Sequence, residues 1–379
     1  MRPVPIPELE LLLRCTRMQV DAEGARRIAE LAARDLDWDR LALVARLHGL
    51  FPLLHRTLSG LGSSRVPQAI LARLKSQSEA IRFQNLVLAQ ELLAALRVLE
   101  DAGVTAMPYK GPALAVFLYQ DIALRQFSDI DLLVRPRDAV KAKRILMRLG
   151  YVPYRALSDR WDAAWVRIHQ EFLLVVPHKQ FFVDLSWCFA PAIWRLPKIA
   201  DPTWRRLGRL SLLGASVPWP DAEDLLLILC LHGSKHKWEE LKWIVDVAEL
   251  LRTRPELDWR RLTDDARRMG AYRMLAICLV LASELLDAPI PRDMLDRFRS
   301  TPSVASLAAE VCDDLCASAA KPAGITDRLS HIQGRLSFLA AAADRSTMRW
   351  ACRTLHFGYF VLYRIVRPGI ALLRRALAL

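Results

Sequence analysis

Apolar residues recur at helical spacing towards both ends of this 379-residue chain, and at strand-like spacing only in its middle. Towards the N-terminus, the pattern predicts helices over 8–13, 22–33, 38–58 and 68–101. In the middle, short apolar runs predict strands at 104–109, 130–134, 151–155, 171–176, 181–187 and 209–218. Asp221 is a candidate N-cap for a helix over 222–237. Further helices are expected up to residue 286, and again after Pro291.

These changes of pattern predict an α+β fold, with a small mixed sheet between two helical regions. We expect an N-terminal helical region over 1–101, an α/β core over 102–220 and a C-terminal helical domain over 221–379. The last domain includes a basic tail rich in aromatic residues.

Asp129 and Asp131 are the most informative residues of the predicted core. In a strand, residues i and i+2 point the same way, so both carboxylates share a face while Ile130 enters the interior. Paired carboxylates suit Mg²⁺, which proteins often share with substrate phosphates. Such a triplet is also typical of two solvated aspartates at a strand edge, so the flanking residues matter.

Two flanking features favour phosphate chemistry. Lys110 and Gly111 lie in a turn before an apolar helix, where an ammonium and free backbone amides can together hold an anion. Asp184 is isolated among apolar neighbours in the strand predicted at 181–187, and a metal would compensate the cost of such an acid.

Together these residues resemble a family of poorly characterised bacterial nucleotidyltransferases in the DNA polymerase beta superfamily. Members of this type are found in peptide-maturation (lasso peptide) and polysaccharide-export gene clusters. The resemblance rests on segments at 109–115, 118–121, 129–134, 183–187, 232–238 and 241–246, and on Arg125 and the tail. It implies that Asp129, Asp131 and Asp184 are catalytic and bind two Mg²⁺ ions.

The resemblance implies transfer of a nucleoside monophosphate from an NTP, ATP being the expected one, to an unidentified acceptor with release of pyrophosphate. Asp129 and Asp131 would bridge both ions, and Asp184 would bind the ion on the acceptor side. No Lys or Arg lies in these strands, so the acids should repel one another until a cation arrives. Were Asp184 not the third acid, Glu171 would be the next candidate. The alternative function is a non-catalytic nucleotide-binding or scaffold protein.

Further residues are candidates for nucleotide binding. Lys110 and Gly111 would hold the outer phosphates, in place of the Gly-Ser usual in the superfamily. Arg125 would stabilise charge on the triphosphate, or else form a structural ion pair. The family often has His at the position of Ser186, so no histidine role is assumed there.

His232 and His236 are four residues apart and share a helix face. Position 233 is Gly instead of the Glu that a zinc-protease helix needs as its base. We therefore expect this face, with Lys235 and Trp238, to contact the nucleotide or to support the site, or otherwise only to pack on the sheet.

The net charge of +13 fits polyanionic partners such as nucleotides. Nucleic acid is an unlikely partner because no known binding module is recognisable. Seven dispersed cysteines, no signal peptide and no apolar run of membrane-spanning length predict a cytoplasmic protein.

The acceptor is left open between a peptide and a small molecule. The tail over 347–379 is predicted to be a helix that closes the C-terminal domain, with weak contact with a membrane surface as the alternative.

Overall fold

A computed structural model of the protein describes residues 6–61, 65–154, 159–175, 181–188, 201–320 and 328–344. The tail helix expected over 347–379 lies outside the described residues.

A five-stranded mixed sheet lies at the centre of the described chain. Its strands, in spatial order, are β1 (Ala106–Pro108), β2 (Asp129–Val134), β5 (Phe182–Ser186), β4 (Glu171–Val175) and β3 (Val152–Pro153). β2 and β5 run parallel, and all other neighbours are antiparallel. These strands match the predicted segments to within a few residues, and the α+β class is confirmed. The division at residues 101 and 220 stays a prediction.

The two faces of the sheet differ because side chains alternate along each strand. Ile130, Leu132, Val183 and Leu185 are fully buried on one face, which packs against helices of the N-terminal half. The acidic residues of β2 and β5 therefore point to the opposite face.

The N-terminal half supplies eight described α-helices. They are α1 (Pro7–Cys15), α2 (Ala22–Ala32), α3 (Trp38–Leu47), α4 (Phe51–Leu61), α5 (Gln68–Asp101), α6 (Gly111–Tyr119), α7 (Ala139–Arg148) and α8 (Asp162–Ile168). α6 connects β1 to the segment before β2, and α7 follows β2.

The single helix predicted over 38–58 is wrong, because the chain breaks between α3 and α4. Gly49 there has φ of +69°, and a Cβ at this position would lie 2.5 Å from Cδ of Lys242. The Lys242 amide donates to the His48 carbonyl at 3.2 Å. The break thus lets the helix that carries Lys242 pack against this segment. Local hydrophobic periodicity does not predict such a contact.

The described part of the C-terminal half is helical apart from one hairpin. Its helices are α9 (Asp201–Arg205), α10 (Ala222–Lys235), α11 (Leu241–Thr253), α12 (Trp259–Met269), α13 (Tyr272–Leu286), α14 (Arg292–Arg299), α15 (Pro302–Ala320) and α16 (Arg328–Ala342). Asp221 caps α10 as predicted, accepting a hydrogen bond from the Asp224 amide at 2.8 Å. Within the described ranges, no helix is both long and apolar enough to cross a membrane.

The strand predicted over 209–218 is two strands, β6 (Gly208–Leu212) and β7 (Ala215–Trp219). The chain reverses at Leu213 and Gly214, which have φ of 49° and 83°. The uninterrupted apolar pattern hid a two-residue turn with positive φ at both positions.

Candidate functional site

Asp129, Asp131 and Asp184 come together on the face of the sheet opposite the N-terminal helices. Asp131 pairs with Asp184 across the parallel strands β2 and β5, and Asp129 is paired with Phe182 in the same register. One carboxylate oxygen from each residue lies within 4.8 Å of the other two. Among the described residues this is the one cluster of three or more acids, histidines or cysteines close enough to hold an ion.

The charges of this triad are only partly balanced. Burial, reinforced by Asp131 and Glu171, raises the pKa of Asp184 to about 7. Burial and the Asp131 charge likewise raise the pKa of Asp129. Both carboxylates are thus destabilised as anions, which is the condition that a bound cation relieves.

Lys110 supplies a cation that the strands themselves lack. Its Nζ lies 2.8 Å from Oδ1 of Asp131, with side chains 10% and 3% exposed. The Lys110 ammonium also donates to Nδ1 of His232 at 3.4 Å. The strands carry no Lys or Arg, as the sequence indicates, but the turn before α6 brings Lys110 to Asp131 from another element.

The same turn places Lys110 at the start of α6. Lys110 is its N-cap residue, and no side chain caps the helix. Gly111, the first helical residue, has φ of +58° and lies close to the Asp129 backbone, where a Cβ would be 3.6 Å from the carbonyl oxygen. Glycine tolerates this left-handed conformation and lets the start of α6 lie close to β2.

A cavity of about 450 Å³ lies over the triad. It is lined by residues from the sheet, the α6 turn and the C-terminal helices: Tyr109, Lys110, Arg125, Phe127, Ser128, Asp129, Asp131, Glu171, Asp184, His232, Lys235, His236, Glu240, Lys242, Trp243 and Arg335. Nearly all predicted nucleotide-binding side chains therefore reach one cavity. Trp238 does not line it.

His232, His236 and Trp243 form an aromatic cluster on the wall of the cavity. Ring centroids are 4.7 Å apart between the two imidazoles, and 5.1 and 5.3 Å from Trp243. Burial and the Lys110 charge hold the pKa of His232 well below its usual value, and burial with Lys235 lowers the pKa of His236 to about 2. Both imidazoles are neutral at physiological pH.

Gly233 makes this cluster possible by accommodating Trp238. A Cβ at position 233 would lie 2.3 Å from the Trp238 ring, which is fully buried. Lys237 and Trp238 both have φ of 55°, so the chain turns sharply where α10 ends at Lys235. The prediction that this helix continues to residue 237 is therefore wrong, because it ends at Lys235. Position 233 is glycine because the Trp238 ring packs where a side chain would lie.

Arg125 forms a buried ion pair, which is one of the two alternatives left open by the sequence. Its guanidinium donates to both carboxylate oxygens of Asp246 at 2.9–3.0 Å. Tyr119 donates to the same carboxylate at 2.9 Å, and Asn85 donates to the Arg125 carbonyl at 2.8 Å. This network joins α5, α6 and α11 beneath the cavity.

Several cavity residues were missed by sequence reasoning. Glu240, Lys242 and Trp243 begin α11, and Arg335 reaches in from α16 and pairs with Glu239. Lys242 and Trp243 lie in the segment 241–246 that contributes to the family resemblance, but no site role was predicted for them, and Arg335 has no sequence signal. Glu171 and Lys235 face each other at 3.9 Å beside Asp184.

Ser186, at the position where the family often has His, is buried and hydrogen-bonded to Tyr109. Burial and the Asp131 charge raise the pKa of Tyr109 well above its usual value. This end of the sheet is thus a neutral, packed wall of the site.

Most of the chain matches a known protein family. Residues 34–287 match the model of a family described as uncharacterised nucleotidyltransferases. No curated protein matches the chain. A solution structure of the antibiotic-resistance factor ANT(2'')-Ia aligns at 16% identity with a TM-score of 0.28, over 59% of this chain and 96% of that chain. Since the family match spans well over half of its length, the chain belongs to the uncharacterised nucleotidyltransferases and is a transferase.

Proposed function

We propose that the protein is a Mg²⁺-dependent nucleotidyltransferase that moves a nucleoside monophosphate from an NTP, with ATP as the expected donor, to an acceptor. The observation that carries this proposal is the meeting of three carboxylates within 4.8 Å beneath a cavity that also holds Lys110. In the reaction, an acceptor oxygen forms a bond to the α-phosphorus and loses its proton. The bond from that phosphorus to the β-phosphate oxygen breaks, and pyrophosphate leaves with the electron pair.

The triad fits a magnesium site by its chemistry. All three donors are carboxylate oxygens, the ligand type that Mg²⁺ prefers, and burial together with the neighbouring carboxylates raises the pKa values of Asp129 and Asp184. Asp129, Asp131 and Asp184 would hold two ions. When bound, such ions supply charge stabilisation to the attacking and leaving oxygens.

Lys110 and Gly111 would hold the outer phosphates. The ammonium lies at an uncapped helix N-terminus, so backbone amides and side chain can bind the same anion. In the nucleotide complex Lys110 would exchange its contact with Asp131 for the phosphates, a movement of one flexible side chain.

The neutral cluster of His232, His236 and Trp243 offers a flat, apolar wall for the nucleobase. Neutral imidazoles can stack on a base without adding charge, while Lys235 and Lys242 remain on the same side of the cavity for phosphate or ribose oxygens. Arg125 would act indirectly: its ion pair with Asp246 would hold α11, and with it Trp243, in position.

Calorimetry tests the donor half of this function. ATP should bind in the presence of Mg²⁺, and EDTA should weaken binding strongly; binding that is unchanged by EDTA would exclude the metal site. Mass spectrometry of candidate acceptors for an added nucleoside monophosphate tests the transfer half. Mg²⁺-dependent ATP binding with no transfer to any acceptor would favour the scaffold alternative.

We place the enzyme in the cytoplasm, where NTPs are abundant and buried thiols such as Cys15, Cys230 and Cys278 stay reduced.

A further inference from the structure

The face of the sheet that carries the triad continues beyond it towards the β3 edge. Leu173 lies directly opposite Asp184 in the antiparallel pair β4 and β5, and Val175 lies opposite Phe182. Val152 is in turn opposite Val175, and the Tyr154 amide donates to the Leu173 carbonyl at 2.9 Å. By the alternation of strands, these side chains share the face of Asp184.

This continuation is apolar and exposed, whereas the opposite face is buried. Tyr154 is 60% exposed, Val152 46% and Phe182 39%. The rings of Tyr154 and Phe182 meet edge to face, with centroids 5.6 Å apart. We call Val152, Tyr154, Val175 and Phe182 the aromatic shelf.

The shelf is continuous with the candidate site at the carboxylate assigned to the acceptor side. Phe182 precedes Asp184 by two residues on the same strand face, so the two side chains are separated by roughly 7 Å. Tyr154 lies two strands over, roughly 10 Å away. An acceptor would bind the shelf through its apolar residues. A hydroxyl side chain two or three residues away along the acceptor would then reach Asp184.

The form of the shelf favours a polypeptide over a small molecule. Small ligands are enclosed by concave pockets, but this surface is an open sheet face near its edge strand. Exposed apolar and aromatic side chains that lie together in this way are typical of protein-contact surfaces, where aromatic anchors contribute most of the affinity.

We propose that the acceptor is a polypeptide segment in which a hydroxyl side chain is flanked by apolar residues, and that these flanks bind the aromatic shelf. The proposal rests on the function proposed above and names its acceptor class. The Ser, Thr or Tyr hydroxyl of the segment releases its proton to solvent, and its oxygen forms the bond to the α-phosphorus. The bond from that phosphorus to the oxygen that bridges to the β-phosphate breaks, and pyrophosphate leaves with the electron pair.

A library of short peptides tests this inference. Each peptide carries one central Ser, Thr or Tyr with randomised flanks, and the full-length protein is supplied with Mg²⁺ and ATP. Mass spectrometry then identifies which peptides gain a nucleoside monophosphate. We expect aromatic and branched aliphatic flanks to be enriched by about tenfold among the labelled peptides. Phe182→Thr and Tyr154→Thr should remove this enrichment while ATP affinity, measured by calorimetry, stays unchanged.

Threonine keeps strand propensity at these exposed positions, so both variants should fold. Leu47→Gln is the matched control, because Leu47 is an apolar side chain on α3 that is 48% exposed and lies off the sheet. It should label peptides like the wild type.

Three results would overturn the proposal: labelling without flank preference, a preference that survives in both shelf variants, or no labelled peptide while Mg²⁺-dependent ATP binding is intact. A loss of melting temperature in the shelf variants with unchanged peptide preference would show instead that the chain itself covers the shelf. Failure of Mg²⁺-dependent ATP binding would overturn the nucleotidyl transfer itself, and so is a distinguishable outcome.

Discussion

The Lys110 ammonium lies 2.8 Å from the Asp131 carboxylate, although 20 residues separate them in the chain, including the whole of α6. Lys110 is paired directly with one acid of the triad, whereas the charges of Lys242 and Arg125 act on Asp129 from farther away. The pair neutralises Asp131 but leaves Asp129 and Asp184 with raised pKa values. We therefore expect Lys110 to compete with a metal ion for Asp131, and to bind phosphate once that contact is released.

Lys110→Ala should affect metal and nucleotide in opposite directions. Without the competing ammonium, Mn²⁺ or Mg²⁺ should bind more tightly in the absence of nucleotide, by about tenfold. With its phosphate partner gone, the KM for ATP should rise by about tenfold or more, with a smaller fall in kcat.

Calorimetry of metal alone and steady-state kinetics measure these two effects. Lys110→Arg should not restore the KM fully, since a planar guanidinium fits a tight helix N-terminus poorly. Metal affinity and KM that both remain at wild-type values in the alanine variant would remove Lys110 from the site.

Replacing each acid of the triad by its isosteric amide should abolish turnover, by about a thousandfold or more, because each removes a charged ligand without creating a cavity. The effects on stability should differ. Asp129→Asn and Asp184→Asn relieve repulsion and should raise the melting temperature of the metal-free protein, whereas Asp131→Asn leaves Lys110 without its ion pair and should lower it.

Thermal unfolding in EDTA, set beside activity in Mg²⁺, separates these outcomes. Near wild-type turnover in the Asp184 variant would mean that the third acid is Glu171 instead. Equal melting temperatures in all three variants would contradict the uneven charge balance described above.

The stability of the metal-free protein should depend on pH through Asp184. Its pKa rises from an ordinary 3.8 to about 7 in the folded protein. The folded state then holds the proton more tightly than the unfolded state, so the stabilisation is complete at low pH and is lost as pH rises through the folded pKa. The difference in melting temperature between Asp184→Asn and wild type, in EDTA, should therefore increase from about pH 4 to pH 7. A constant difference over this range would contradict the raised pKa.

Gly233→Ala should destabilise the protein by about 1–3 kcal/mol, because the added Cβ would overlap the buried Trp238 ring. Gly334→Ala is the matched control: Gly334 also lies within a helix, but no atom lies within 4 Å of its added Cβ. The control should be neutral or slightly stabilising, since alanine has the higher helix propensity. Denaturant unfolding compares the two, and equal effects would mean that helix propensity, not the Trp238 contact, governs position 233.

The carboxylates were predictable because strand alternation and local motif place them without knowledge of distant contacts. Asp129 and Asp131 share a face by spacing alone, and Asp184 stands out as a lone acid in an apolar strand. The partners of these residues were not predictable in the same way. Lys110 pairs with Asp131 across an intervening helix, and Trp243 enters the cavity from a helix that Gly49 allows to dock. Such contacts depend on packing between elements far apart in the chain, which periodicity does not encode.

The Arg125–Asp246 pair decides between the two roles that the sequence left open for Arg125. Both side chains are almost fully buried, at 4% and 0% exposed. Removing one partner would leave an uncompensated buried charge, at a cost of about 3–5 kcal/mol. We therefore expect Arg125→Met and Asp246→Asn to lower the free energy of unfolding by similar amounts, and Arg125→Met combined with Asp246→Leu to cost less than the sum of the single changes. Denaturant unfolding of the four proteins measures this coupling. If Arg125→Met instead raises the KM for ATP strongly while Asp246→Asn leaves stability and KM unchanged, Arg125 binds the triphosphate directly.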